Sequence, residues 1–179
     1  MTFISCLMGS QVLKCKMIRN ATKADLNQIA LLERKIEGEH AASLKTLNER
    51  LEMFSEGFYL AEEGDKIKGY VESCRWNREE INSFDEIKNF PEQHIANGRF
   101  LYGIFMGVDL EFRRKGIGRQ LVRTLQDYAK KEQIEKIQCV SGKGFLVEFY
   151  KNLGFVPVKL LPYFYPKTGN LTYMEYKVS

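Results

Sequence analysis

Histidine and cysteine are scarce in this chain, and neither is grouped. There are two histidines, His40 and His94, and four cysteines, Cys6, Cys15, Cys74 and Cys139, in 179 residues. No CxxC or other metal-ligand spacing occurs among them, which weighs against a metal centre and against a disulfide framework and fits a reducing, cytoplasmic setting. In that setting the sequons at Asn20 and Asn170 carry no glycan. No apolar run reaches the ~20 residues needed to cross a bilayer, so no membrane partner is expected. Repeats, low-complexity tracts and Pro/Gly-rich linkers are absent too, and residues 17–179 read as one domain. Residues 1–16 lack a cationic leader region and read as a loosely packed or disordered extension, with Met17 as a natural start.

Charge is present, but unevenly spread. The net charge is +4, whereas residues 17–99 hold 12 basic and 16 acidic side chains and residues 100–179 hold 13 and 7. Five of the basic residues fall within positions 113–123, where there is no acidic one. A nucleic-acid surface spreads its positive charge over a long face. A cluster at one point, beside an acidic first half, favours a small anionic ligand instead, and no nucleic-acid partner is expected.

That point is Arg113-Arg114-Lys115-Gly116-Ile117-Gly118-Arg119. It lies between an apolar strand pattern at Phe100–Val108 and a helical pattern over 116–131, with Ile117, Leu121, Leu125 and Tyr128 inward. Glycines at a helix mouth let backbone N–H groups approach phosphate oxygens at the positive end of the helix dipole. Four nearby cations add charge-assisted hydrogen bonds. The chemistry indicated is pyrophosphate binding, by a loop of neither the Walker nor the three-glycine dinucleotide type.

Elsewhere, Leu26, Ile29, Leu32 and Ile36 predict a helix capped by Asp25 or Thr22, and Leu44, Leu47, Leu51 and Phe54 predict a second. Residues 58–62 and 67–76 predict a hairpin turning at Gly64-Asp65-Lys66. Residues 77–98 form a long polar connection with one short helix at 80–90, the kind of segment that often serves function. A strand at 137–141, a short helix at 145–152 and strands near 155–161 and 170–178 follow, the last pair joined by a turn at 166–169. The order is α+β with a largely antiparallel sheet.

Strand, Arg113-x-x-Gly116-x-Gly118, helix, strand, and then Tyr150-x-x-x-Gly154-Phe155 resembles the GNAT superfamily of acetyl-CoA-dependent N-acetyltransferases over residues 17–178. The resemblance implies a GNAT acyl-CoA N-acyltransferase fold, with a splayed strand pair in a mostly antiparallel sheet flanked by helices. It implies acetyl-CoA as donor, bound by the backbone of Met106, Gly107 and Val108 and by Arg113, Arg114, Lys115, Gly116, Ile117, Gly118 and Arg119. No metal is implied. The thioester would reach the strand near Ile104 and Phe105, with Gly107 sparing room for the ligand. Tyr150 falls where relatives place the acid that protonates the CoA sulfur.

The layout around residues 33–62 and Leu146–Tyr150 resembles the arylalkylamine N-acetyltransferase branch, and the resemblance puts that branch's two strand histidines at Tyr102 and Ile104. The base must then be another group: Glu72, Tyr102, or a water held by Glu37, Glu39 or His40. No cysteine stands at a nucleophile position, so direct transfer in a ternary complex is expected. Phe54, Phe58, Trp76, Phe84, Phe90 and Tyr163–Tyr165 lie in segments that border the family's acceptor cleft. The expected acceptor is a small amine with an apolar body, drawn as a cation by the acidic first half. A peptide or protein amine, a silent acyl-CoA-binding module and a homodimer stay open as alternatives.

Overall fold

A computed structural model of the chain describes residues 17–88, 90–142, 144–162 and 170–179. The expectations for residues 1–16, Tyr163–Tyr165 and the turn at 166–169 lie outside the described residues. Among the described residues, seven strands form one sheet: β1 (Met17–Asn20), β2 (Tyr59–Glu63), β3 (Lys66–Trp76), β4 (Phe100–Val108), β5 (Lys136–Ser141), β6 (Val156–Leu161) and β7 (Leu171–Lys177). Their spatial order is β1-β2-β3-β4-β5-β7-β6. Every pairing is antiparallel except β4 with β5.

The helices are α1 (Leu26–Glu37), α2 (Leu44–Met53), α3 (Phe90–Gln93), α4 (Ile117–Lys131) and α5 (Gly144–Lys151). The apolar stripes of α1 and α2 pack with Leu60 and Tyr70 on one face of the sheet. Helix α4 buries Ile117, Leu121, Val122, Leu125 and Ala129 on the other, against Val71, Leu101 and Ile137. Along β3, Tyr70, Glu72, Cys74 and Trp76 alternate with Val71, which the strand's period of two requires. This puts the charged Glu72 on the α1–α2 face.

Local details refine two sequence expectations. Asp25 does not cap α1 with its side chain. A 3-10 turn precedes the helix, and the Asp25 carboxylate accepts the Thr22 N–H at 2.8 Å and both Arg19 Nη groups at 2.7 and 2.8 Å. The connection between β3 and β4 contains a 3-10 turn at Phe84–Ile87 followed by α3, in place of one helix over 80–90. Gln138 anchors this connection from β5. Its amide oxygen accepts the Trp76 indole N–H at 2.6 Å, and its nitrogen donates to the Arg78 and Glu79 carbonyls at 3.1 Å.

Two irregularities in β4 position the site. The register with β3 skips Ile104, so β4 bulges there. The parallel pairing with β5 covers only Phe100, Leu101 and Tyr102, after which the two strands part. From Gly103 onward β4 has a ladder on its β3 side alone.

Candidate active site

At the outer end of the split, β4 runs through a 3-10 turn at Leu110–Phe112 into α4. Arg114 has φ of 61° and Gly116 has φ of 83°. Such left-handed residues turn successive N–H groups into one concave surface suited to an anion. Nothing lies within 4 Å of the place a Gly116 Cβ would take, so the left-handed backbone, and not crowding, asks for glycine. Gly116 caps α4, and the first bond of the helix runs from the Gln120 N–H to the Gly116 carbonyl at 3.0 Å. The N–H groups of Ile117, Gly118 and Arg119 therefore have no acceptor inside the helix. Arg113, Arg114, Lys115 and Arg119 are exposed around that mouth, whereas the Ile117 side chain enters the core.

The loop is held from beneath. Lys35 at the end of α1 bonds Asp109 at 2.8 Å and Glu111 at 3.1 Å. The buried Lys68 ammonium sits 3.7 Å from the centre of the Phe112 ring, a cation–π contact. Arg113 Nε donates to the Val108 carbonyl at 3.2 Å. Gly107 serves packing: a Cβ there would come within 2.9 Å of Ile36 and of Phe105. The missing side chain makes way for Ile36 at the end of α1 and for the Phe105 ring.

Inside the split lies a channel of about 310 Å³. Gly103–Met106 of β4 wall one side and Val140–Gly142 the other, with Leu146, Tyr150 and Phe155 closing it. The Tyr150 ring is wedged between Phe149 and Phe155, each with centroids 5.2 Å away. Burial, with a smaller contribution from Cys139, holds its phenol above the usual tyrosine range. It is protonated at neutral pH, the state a proton donor requires.

A second cavity, of about 470 Å³, lies between α1, α2 and the β3–β4 connection. Phe84 and Phe90 line it, together with Ile87, Tyr102 and Leu171. Phe54, Phe58 and Trp76 are core residues absent from its wall. Glu37, Ile104, Phe105 and Val140 line both this cavity and the channel, so the two spaces meet at the β4 bulge.

The base candidates fall in different surroundings. Glu37 stands at the junction and His40 lines the second cavity, whereas Glu39 lines a separate groove beside Leu31 and Arg34. Tyr102 is stacked on Phe90 at 5.2 Å, and burial drives its phenol far above the usual range, so it stays protonated. Glu72 is 1% exposed and lines neither space. Its Oε1 accepts from Arg50 Nη1 at 2.5 Å, and burial lifts its carboxyl to about 7 despite the neighbouring Arg50 cation. His94 packs on Phe54, and its Nδ1 accepts the Arg75 N–H at 3.2 Å. Arg50 and Lys88, which line the second cavity, were not legible as site residues, because a lone cation on a helix or loop reads as solvated surface.

A family model matches residues 23–155, the stretch that holds the split strand pair, the helix mouth beside it and the two signatures. The chain belongs to the acetyltransferase (GNAT) family. The match takes in the loop at 113–119, the channel and Tyr150. An uncharacterized N-acetyltransferase of Methanocaldococcus jannaschii is 34% identical over 104 residues, covering 56% of this chain and 39% of that protein. The alignment thus spans about two fifths of the length of that relative. Among solved structures, the loading GNATL domain of CurA from Lyngbya majuscula superposes with a TM-score of 0.80 at 18% identity, covering 92% of this chain and 98% of that one. Arabidopsis thaliana Naa50, solved with the bisubstrate analogue CoA-Ac-MVNAL, superposes with a TM-score of 0.67 at 18% identity, covering 89% and 97%. At such identities these likenesses speak to the GNAT fold.

Proposed function

We propose that this GNAT protein is an acetyl-CoA-dependent N-acetyltransferase acting on the primary amine of a small acceptor with an apolar body. The observation that carries the reading is the meeting of two spaces at one bulge: a channel in the strand split and a separate, partly aromatic cavity share Glu37, Ile104, Phe105 and Val140. Two reactants entering from opposite sides would meet there, which is the arrangement direct transfer needs.

The residues present fit acetyl-CoA. The open left-handed turn at Gly116, the unbonded amides of residues 117–119 and the cations Arg113, Arg114, Lys115 and Arg119 would hold its pyrophosphate. Backbone groups of Met106, Gly107 and Val108 on the unladdered side of β4 would hold the pantetheine arm. Acetyl-CoA, when bound, supplies an activated acetyl thioester. The Tyr150 phenol donates a proton at the channel wall, where the departing sulfur needs one. Glu37, at the junction, takes the proton that an ammonium must lose to become a nucleophile, directly or through a water. The acidic first half of the chain attracts that ammonium from a distance.

The test is thiol release from acetyl-CoA across arylalkylamines, polyamines, amino acids and peptides with free lysine or N-terminal amines. Turnover above the acceptor-free background with a small amine is expected. Turnover with peptides alone would replace the small acceptor by a protein one, and tight acetyl-CoA binding without turnover would overturn the enzymatic reading.

A further inference from the structure

The second cavity is lined by charges of both signs. Glu33 and Glu37 come from α1, Arg50 from α2 and Lys88 from the β3–β4 connection. Glu33 is fully engaged: Oε1 accepts the Ala42 N–H at 2.8 Å and Oε2 accepts the Tyr70 hydroxyl at 2.7 Å. Lys88 is paired with Asp85 at 2.5 Å on the surface. Arg50 differs from both. It gives only Nη1 to Glu72, while its buried Nε and the buried Glu72 Oε2 have no hydrogen-bond partner.

A pair kept for stability alone would close on itself, because a buried polar atom left without a partner is costly. This pair is left unfinished beside a cavity. Glu72 is 1% exposed and holds the guanidinium from behind, against the Phe90 ring 6.0 Å away. A planar guanidinium with donors to spare is the group best matched to a carboxylate. The engaged Glu33 carboxylate repels an anion from the α1 wall and favours an ammonium there.

We infer that Arg50, positioned by Glu72, binds a carboxylate on the acceptor, so that the acceptor is an amino acid with an apolar side chain whose amine points to Glu37. The inference rests on the N-acetyltransferase reading and narrows it. Phe84, Ile87 and Phe90 would take the side chain.

The first arm needs no variant. Initial rates with acetyl-CoA are compared for L-phenylalanine, L-leucine, their amides and 2-phenylethylamine, and calorimetry compares binding of N-acetyl-L-phenylalanine and its amide. A preference for the free acid of about ten- to a hundredfold is expected in KM and in Kd. The double variant Arg50→Gln/Glu72→Gln, which leaves no unpaired charge, should abolish the preference while acetyl-CoA affinity stays within about twofold. Amides and amines serving as well as acids would overturn the inference and leave the acetyltransferase reading standing. If no acceptor turns over, that reading fails, and the binding comparison still decides the subsite. An Arg50 dependence that follows succinyl-CoA over acetyl-CoA, with no preference among acceptors, would assign the guanidinium to the donor and overturn the inference as well.

Discussion

Replacing Glu72 by Gln should change how stability depends on pH more than it changes stability at any one pH. The Glu72 carboxyl is 1% exposed, and burial lifts it from its ordinary 4.5 to about 7 against the opposing pull of Arg50. The folded chain therefore binds this proton more tightly than the unfolded chain does. Between pH 4.5 and about 7 the native state holds more protons, so stability falls as pH rises. Each pH unit between the two values is worth about 1.4 kcal/mol, and the whole interval about 3 kcal/mol. Gln keeps an oxygen for Arg50 Nη1 and cannot ionise. The difference in unfolding free energy, variant minus wild type, should thus rise by about 3 kcal/mol from pH 4 to pH 8. Asp25, held down to about 2 chiefly by its hydrogen bonds from Arg19, loses its contribution between pH 3.8 and 2 in both proteins and cancels from the difference. Urea denaturation followed by the fluorescence of Trp76, the one tryptophan and 2% exposed, reads this directly. A difference flat to within about 1 kcal/mol over that range, or one that falls, would refute the account of Glu72 as a carboxyl destabilised by burial.

Other substitutions test the site and its supports. Tyr150→Phe should lower kcat by about a hundredfold and leave acetyl-CoA affinity nearly unchanged; full activity would reduce Tyr150 to a packing residue. Arg113→Ala should raise the KM for acetyl-CoA by about tenfold, and Gly118→Glu by more, since it sets a carboxylate beside the unbonded amides. A Cβ at Gly118 would meet Phe149, Val108 and Met106 at 3.5, 3.7 and 3.8 Å, ordinary contacts. Gly118→Ala should therefore fold normally, and a thermal melt of this control separates a packing effect from lost anion binding. Gln138→Leu should cost about 3 kcal/mol in urea unfolding, because the Trp76 indole and the Arg78 and Glu79 carbonyls lose their buried partner.

Much of the proposed donor side was legible in the chain, because it is written in local sequence. Gly116 must turn left-handed, α4 must start where its apolar period starts, and the cations crowd its mouth within seven residues. The two motifs, read at their separation, pointed to the GNAT family and to a mostly antiparallel sheet with a splayed strand pair. The proposed acceptor side was far less legible, because it is built from residues distant in sequence. Arg50 and Glu72 become partners only when α2 packs across β3. Glu37 reaches the junction only because α1 ends over the β4 bulge, and Gly107 answers to Ile36 on that helix. Aromatic residues gave the weakest guide. Phe84 and Phe90 line the cavity while Phe54, Phe58 and Trp76 fill the core, and a hydrophobic residue's type does not say which of two apolar surroundings it enters. By itself, the sequence determined the periodicities, the helix mouth and the cations gathered around it, since these depend on neighbours along the chain. Where β4 leaves β5, which carboxylate is buried and which cation faces a cavity were decided by tertiary packing, since burial and pairing exist only once distant segments meet.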